Sequence, residues 1–556
     1  MSRRAVALLF GLLLSIPCAP TPAAGQSLRT VPLGHWTYGV ADALLLRYPE
    51  LSTQVWLGNR PWREGDFAAL WRAARRPGQG ATDPLAAGWL ELLEEEFELG
   101  PGLERTGPHW IHNDLAARYE GHYQSDDATF DPAFRGAALG DSVGYPPHRG
   151  IAQHDFAAQF GQVFALGWRY VLDSNIRNDP TRRTKLGIRT TEAAAFEVLE
   201  AYASSHTGPV WATLGRAELA LGPGRATSPF VSESIPALDQ VRIELSGDAP
   251  QRIRYTGLVA QLSRERPNRL LNERGNTIPG SVPTDSVFVG ADVTRWLYLQ
   301  RVDWRVFDQL QVAISEAALV TGINRGFELR FANPMLPYLA TQAEDDEIDS
   351  NDVDVSVTAE AVYTGLGSSR LYGLLYVQEL FIDEDLRGSF GNQLAWRVGG
   401  SWAEPLGWRG GSVGGEYTRV DVFTYLHRGL NTNWETFGVP IGSSLGPDGD
   451  QAQAWVEYWY GPELRFSADV LARRSGERSI ETIESATDPG NPGFPSGVIQ
   501  REARLGAEAW TIVPQWGLEG RARVGRRQVE NIANVEGADG DFWEASLALV
   551  YRFRFR

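Results

Sequence analysis

In 556 residues the chain has one cysteine, one lysine and no run of 18 or more apolar residues. Each scarcity removes a class of protein. Cys18 lies in the N-terminal segment, so the chain beyond it is without disulfides, thiolate-bound metals or cysteine nucleophiles. Lacking a long apolar run, the chain has no helical route across a membrane, which leaves an exported soluble protein or a barrel of strands. Positive charge is also short. The 52 Lys and Arg against 69 Asp and Glu leave a net charge of -17, which repels phosphate backbones and excludes nucleic acid as a partner. With Lys185 as the only lysine, the run Gly222-Pro223-Gly224-Arg225-Ala226-Thr227-Ser228 lacks the ending of a phosphate loop. It reads as a tight turn whose glycines take unusual backbone angles.

What is present falls into three parts. Residues 1–25 read as a cleaved signal peptide: Arg3 and Arg4, an apolar stretch from Ala5 to Ile16, and small residues at Ala23-Ala24-Gly25. The stretch is too short to span a bilayer, and Cys18 lacks the small residue that precedes a lipoprotein cysteine. Residues 26–105 carry helical periodicity and predict a small bundle of about three helices. Ala43, Leu44 and Arg47 lead to a turn at Tyr48-Pro49, and Phe67, Leu70 and Trp71 share a face. Leu85, Trp89, Leu92, Leu93 and Phe97 line a third helix with Asp83 as its N-cap and Gly100-Pro101 as its stop. Glu94-Glu95-Glu96 is expected on the solvated face of that helix.

From residue 106 to 556 the period changes to two. Val353, Val355, Val357, Ala359, Ala361 and Tyr363 alternate with Asp352, Asp354, Ser356, Thr358 and Glu360. The stretches Leu464 to Ala472 and Trp543 to Phe555 alternate in the same way. About 18 such segments follow Trp110, many long enough for a tilted strand to cross a bilayer. The fold class is therefore an all-β membrane barrel of about 18 antiparallel strands preceded by a helical bundle, placed in the outer membrane. Closure satisfies backbone groups that lipid leaves unpaired. Trp455 to Tyr460 reads as an aromatic girdle, while Trp455, Trp459, Arg521 and Arg523 are also candidates to fill the interior. Five Gly-, Pro- and Asp-rich stretches predict long external loops: 125–149, 267–286, 334–351, 426–450 and 476–498.

Chemistry-bearing patterns are sparse. His109 and His112 point to opposite faces of a strand, and none of the eight histidines has a zinc spacing. Acidic residues from Glu344 to Asp354 lack the glycine and terminal glutamate of a calcium loop and read as a solvated face. No nucleophile elbow is visible. No catalytic residue, metal site or cofactor is expected, and the chain reads as non-enzymatic.

The segment Glu416-Tyr417-Thr418-Arg419-Val420-Asp421-Val422-Phe423-Thr424-Tyr425-Leu426-His427, followed by Gly438-Val439-Pro440-Ile441-Gly442 and Leu445-Gly446-Pro447-Asp448, resembles the capsule-assembly Wzi family. So do Tyr376 to Asp385, with its acidic end, and the Gly222-Pro223-Gly224 turn followed by Ser228. Leu221 stands where that turn's tryptophan is expected, and Glu233-Ser234-Ile235-Pro236 replaces its Asn-Ala-Arg-Pro tail. The likeness covers roughly Trp110 to Arg556. It implies an 18-stranded barrel and lectin-like attachment or organisation of capsular or extracellular polysaccharide. His35-Trp36-Thr37-Tyr38 and Arg60 to Phe67 resemble one S-layer-homology repeat, which implies contact with peptidoglycan or a secondary cell-wall polymer.

The most family-like stretches hold the candidate glycan-binding residues Glu379, Asp383, Asp385, Glu416, Tyr417, Tyr425, His427 and Trp434. Carboxylates accept sugar hydroxyls and aromatic faces stack on sugar C–H surfaces. The other partner expected is outer-membrane lipid. The rival from a different class is a passive porin or channel with a cell-wall-contacting N-terminal region.

Overall fold

The computed structural model describes residues 27–76, 83–99, 109–125, 148–161, 163–174, 188–189, 195–246, 252–263, 293–343, 353–379, 392–427, 432–480 and 492–554. The expected signal peptide lies outside them. Three helices come first: α1 (Thr37–Arg47), α2 (Glu64–Ala74) and α3 (Pro84–Phe97). Asp83 caps α3 as expected, accepting from the N–H groups of Leu85 and Ala86 at 3.0 Å each, with Pro84 in the first turn.

Eighteen antiparallel strands then close a barrel. They are β1 (His109–Gln124), β2 (His148–Phe160), β3 (Phe164–Asp173), β4 (Ala195–Thr207), β5 (Val210–Ala217) and β6 (Leu238–Ser246). There follow β7 (Ile253–Gln261), β8 (Val293–Phe307), β9 (Leu310–Ile323), β10 (Val353–Tyr363), β11 (Ser369–Glu379) and β12 (Gln393–Ala403). The last six are β13 (Gly411–Val420), β14 (Gly449–Gly461), β15 (Leu464–Ser475), β16 (Gln500–Val513), β17 (Leu518–Glu530) and β18 (Gly540–Arg554). Pairing of β1 with β18 closes the ring, with Asp114 opposite Arg554 and Gln124 opposite Glu544.

Alternation sorts the side chains as the sequence predicts. Val302, Trp304, Leu375, Val470, Leu547 and Phe553 face outward and are exposed, as lipid-facing positions must be. Their neighbours Arg301, Asp303, Arg397, Glu416 and Arg527 face the lumen and are buried. The expected girdle at 455–460 divides by the same rule: Tyr458 and Tyr460 point outward, while Trp455 and Trp459 point into the lumen and are buried. The strands that flank the five predicted long loops end on one side of the barrel, and short connections such as 308–309 and 462–463 lie at the other; 267–286 and most of 125–149 lie outside the described residues. Long loops mark the external end of such barrels and short turns the periplasmic one.

The helical bundle sits in the periplasmic mouth. Arg63 donates to Glu244 at 2.6 Å, Asn59 to Asp303 at 3.1 Å, and Gln311 to the carbonyls of Ser52 and Val55. Trp89 meets Trp459 edge to face at 5.2 Å, and Trp459 meets Trp510 at 5.5 Å. One expectation changes here. Glu96 does not lie on a solvated face: it pairs with Arg554 of the closing strand, while Glu94 pairs with Arg75. The aromatic residues that resemble an S-layer-homology repeat, Trp36, Tyr38, Trp62 and Phe67, form the buried core of the bundle.

His35 lies at this joint. Burial, with Arg552, Arg29 and Arg554 close by, holds its imidazole well below the usual 6.5. Its Nε2 is 3.6 Å from Glu96, beyond hydrogen-bond distance, so docking keeps the ring neutral. A released bundle lets His35 titrate normally. Docking is therefore strongest above pH 6.5 and weakens as pH falls below it, by at most about 1.4 kcal/mol per pH unit. Urea titration of bundle release at about pH 8 and about pH 5 should show this loss, and His35→Asn should remove it.

Candidate functional site

Two external loops fold back into the lumen. The first, residues 218–237 between β5 and β6, descends until Ala220–Leu221 pairs with Asn59–Arg60 of the bundle. The second, between β13 and β14, packs above it through the described residues 421–427 and 432–448. The first loop thus joins the second loop to the bundle inside the barrel.

The lower contact is a clamp on the backbone of the first loop. Glu416 of β13 accepts the N–H groups of Arg225 and Ala226 at 3.0 Å each and the Tyr372 hydroxyl at 2.9 Å. Arg397 of β12, 3.5 Å from Glu416, donates to the carbonyls of Pro223 and Thr227 and to Thr418. Both side chains are 1% exposed. Glycine is required at the clamp: Gly224 has φ +133°, and a Cβ there would stand 2.3 Å from Arg397 Nη1 and 2.5 Å from Glu416 Oε2. The expected tight turn with glycine backbone angles is present, but it ends a loop that enters the barrel.

The upper contact joins the two loops. Tyr425 donates its hydroxyl to the Pro229 carbonyl at 2.5 Å and accepts the Ser443 N–H at 3.1 Å. Trp434 donates from its indole to the Phe230 carbonyl at 2.9 Å and stacks on the Phe230 ring at 10° between planes. Ser232 N–H meets the Ile441 carbonyl at 2.8 Å. Gly442 again leaves no room, since a Cβ would lie 2.4 Å from the Tyr425 hydroxyl. Burial raises the Tyr425 phenol well above its usual value, so it stays a donor. The outer wall holds the same loop: Arg295 donates to Glu435 at 2.5 Å and to the Asn433 carbonyl at 2.8 Å, and Gln378 accepts the Tyr425 N–H at 2.8 Å.

The sequence candidates divide accordingly. Glu416, Tyr425, His427 and Trp434 come together in the plug; Tyr425 and Trp434 are 0% exposed and show no aromatic face to solvent. His427 is buried against Thr432, its backbone N–H on the Asn433 side chain. The expected direct stacking of a sugar on Tyr425 or Trp434 is corrected to a task of holding the two loops together. Tyr417 points outward, 5.1 Å from Trp396, with its hydroxyl on Asp450 at 2.7 Å. Glu379 ends β11 half-buried at the external rim, and Asp383 and Asp385 lie outside the described residues. Sequence reasoning missed Arg397, Tyr372 and Phe230. A lumen-facing arginine one strand away from a lumen-facing glutamate was the available signal for the first. Among the described residues no three His, Cys, Asp or Glu side chains gather as a metal site.

Removing one member of a buried pair leaves the other charge stranded, at a cost of about 3–5 kcal/mol. In Glu416→Ala the amides of Arg225 and Ala226 should exchange with deuterium roughly a hundredfold faster or more, and Gly224→Ala should do the same by collision. Unchanged protection in both would disprove the clamp.

The family model of the capsule assembly protein Wzi matches residues 113–541. Among solved structures, Wzi of Escherichia coli, described as an outer membrane protein involved in group 1 capsule assembly and a carbohydrate-binding β-barrel, is 12% identical. The match covers 95% of this chain and 100% of that one, with a TM-score of 0.59. OprD of Pseudomonas aeruginosa is 12% identical over 80% of this chain and 94% of that one, TM-score 0.43, and opdK of the same organism is 11% identical over 80% and 99%, TM-score 0.43. No curated protein matches the sequence. With its eighteen-stranded barrel and a match over most of its length, the chain belongs to the capsule assembly protein Wzi family.

Proposed function

We propose that this protein is a non-enzymatic, lectin-like anchor that holds capsular or extracellular polysaccharide at the cell surface. The observation that carries this reading is the pinned plug. A loop that reaches from the external rim down to the bundle, clamped by Arg397 and Glu416, gives up a pore and gains a rigid outer platform. Rigid presentation lowers the ordering cost of binding a flexible chain. Family membership and the E. coli relative's description as carbohydrate-binding support the same ligand class.

In this reading the eight candidates share the work in two groups. Tyr425, Trp434, His427 and Glu416 hold the platform from beneath. Glu379, Asp383 and Asp385 supply acceptors for sugar hydroxyls on the loop after β11, with Tyr417 at the lipid-facing rim. Replacing Asp383 and Asp385 by Ala should release polysaccharide into the medium while the barrel keeps its heat-modifiable migration and abundance. Trp434→Ala should also weaken retention, but together with lost amide protection around Phe230. Parental retention in the Asp383/Asp385 variant would move the binding surface elsewhere.

A further inference from the structure

One part of the chain lies against the outside of the barrel. Between β9 and β10, residues 325–343 leave the external rim, turn down the outer wall and end in the short helix α4 (Tyr338–Ala343). Phe331 and Tyr338 pack on Tyr298, Ala318, Val320, Val353 and Val355, outward-facing wall positions that are almost wholly covered. The wall also carries two polar side chains on its lipid side. Gln300 donates to Glu316 at 3.0 Å and to the Leu336 carbonyl at 3.0 Å, and Glu316 accepts the Tyr338 N–H at 3.0 Å. Glu316 stands six residues above the periplasmic end of β9. With a strand rise of about 3.3 Å and a tilt of about 40°, that is roughly 15 Å into an apolar band about 25 Å tall.

We propose that residues 325–343 are a collar immersed in the outer leaflet, which contacts lipid acyl chains in place of the wall it covers. Two features favour hydrocarbon as the neighbour. The collar's free side is apolar: Leu329 is 78% exposed, Met335 83% and Leu339 52%, continuous with exposed wall residues such as Ile314 and Leu375. Its exposed turn also offers lipid no bare donor between 334 and 338. Pro334 and Pro337 have no N–H, Met335 N–H goes to the Asn333 side chain at 3.0 Å, Leu336 N–H to the Asn333 carbonyl, and Tyr338 N–H to Glu316. Backbone in hydrocarbon must be satisfied in this way, whereas a loop in water has no such need. The collar's charges are also paired, Arg325 and Arg330 both on Glu328 at 2.6 and 2.7 Å.

The scarcity of cysteine makes the test direct. With Cys18→Ser as background, a nitroxide is attached to Met335→Cys or Leu339→Cys in the full chain, reconstituted in phosphatidylcholine vesicles. Leu375→Cys on the exposed wall serves as the lipid reference, and Glu536→Cys on the external loop as the water reference. Collision with oxygen and with a water-soluble nickel chelate is read by power saturation. The collar labels should match the Leu375 reference, with high oxygen and low nickel access. Nickel access like that at 536 would overturn the proposal in favour of an aqueous loop. Low access to both reagents, or spin broadening relieved by excess unlabelled protein, would overturn it in favour of a second copy seated on this face.

Discussion

The Arg397–Glu416 pair is the contact on which the loop inside the barrel rests. A carboxylate that takes two adjacent backbone N–H groups, beside a guanidinium that gives to two backbone carbonyls, fixes a loop independently of its side chains. At the clamp itself only the glycines are constrained: Gly222 and Gly224 keep φ of +114° and +133°, and a Cβ on either would collide with its neighbours. Leu221 in place of the family's tryptophan fits this logic, because its role here is a two-residue pairing with the bundle and packing in the upper core. Below the clamp the loop meets the bundle, and above it the second loop.

The plug also explains the chemistry of the lumen wall. A porin solvates its inward charges, whereas a filled barrel must pair them, since an isolated buried charge is far more costly than a paired one. Arg169 lies 2.9 Å from Glu200, Arg301 2.6 Å from Asp303, and Arg149 closes on the fully buried Asp173. The wall of β15 to β18 is the less filled side: Arg521 and Arg523 keep 42% and 33% side-chain exposure while pairing with Glu519 and Asp469. The tryptophans around Trp459 and the Glu96–Arg554 pair close the space beneath it.

Strand parity was legible because period-two alternation is a local property, and lipid outside enforces it on every strand. The Asp83 cap was legible for the same reason. What the sequence concealed were places where a second layer covers the wall. Trp455 and Trp459 could be read as girdle or interior residues, because nothing local says which side of a strand meets lipid when both sides carry aromatics; the structure puts them inside. Tyr425 and Trp434 looked like sugar platforms, and only the return of residues 218–237 into the barrel, a long-range event, turns them into the loops' shared core. Likewise Glu316 on the lipid side of β9 makes sense only once the collar donates to it.

A loop clamped by Arg397 and Glu416 should shut the lumen to ions. Single-channel recording of the purified protein in planar bilayers, in concentrated potassium chloride, tests it most directly. The parent should give no steady conductance steps, and the variant with both Arg397→Ala and Glu416→Ala should give frequent, fluctuating openings as the loop detaches. Large, steady, porin-like steps from the parent would mean that the loop leaves an open pore.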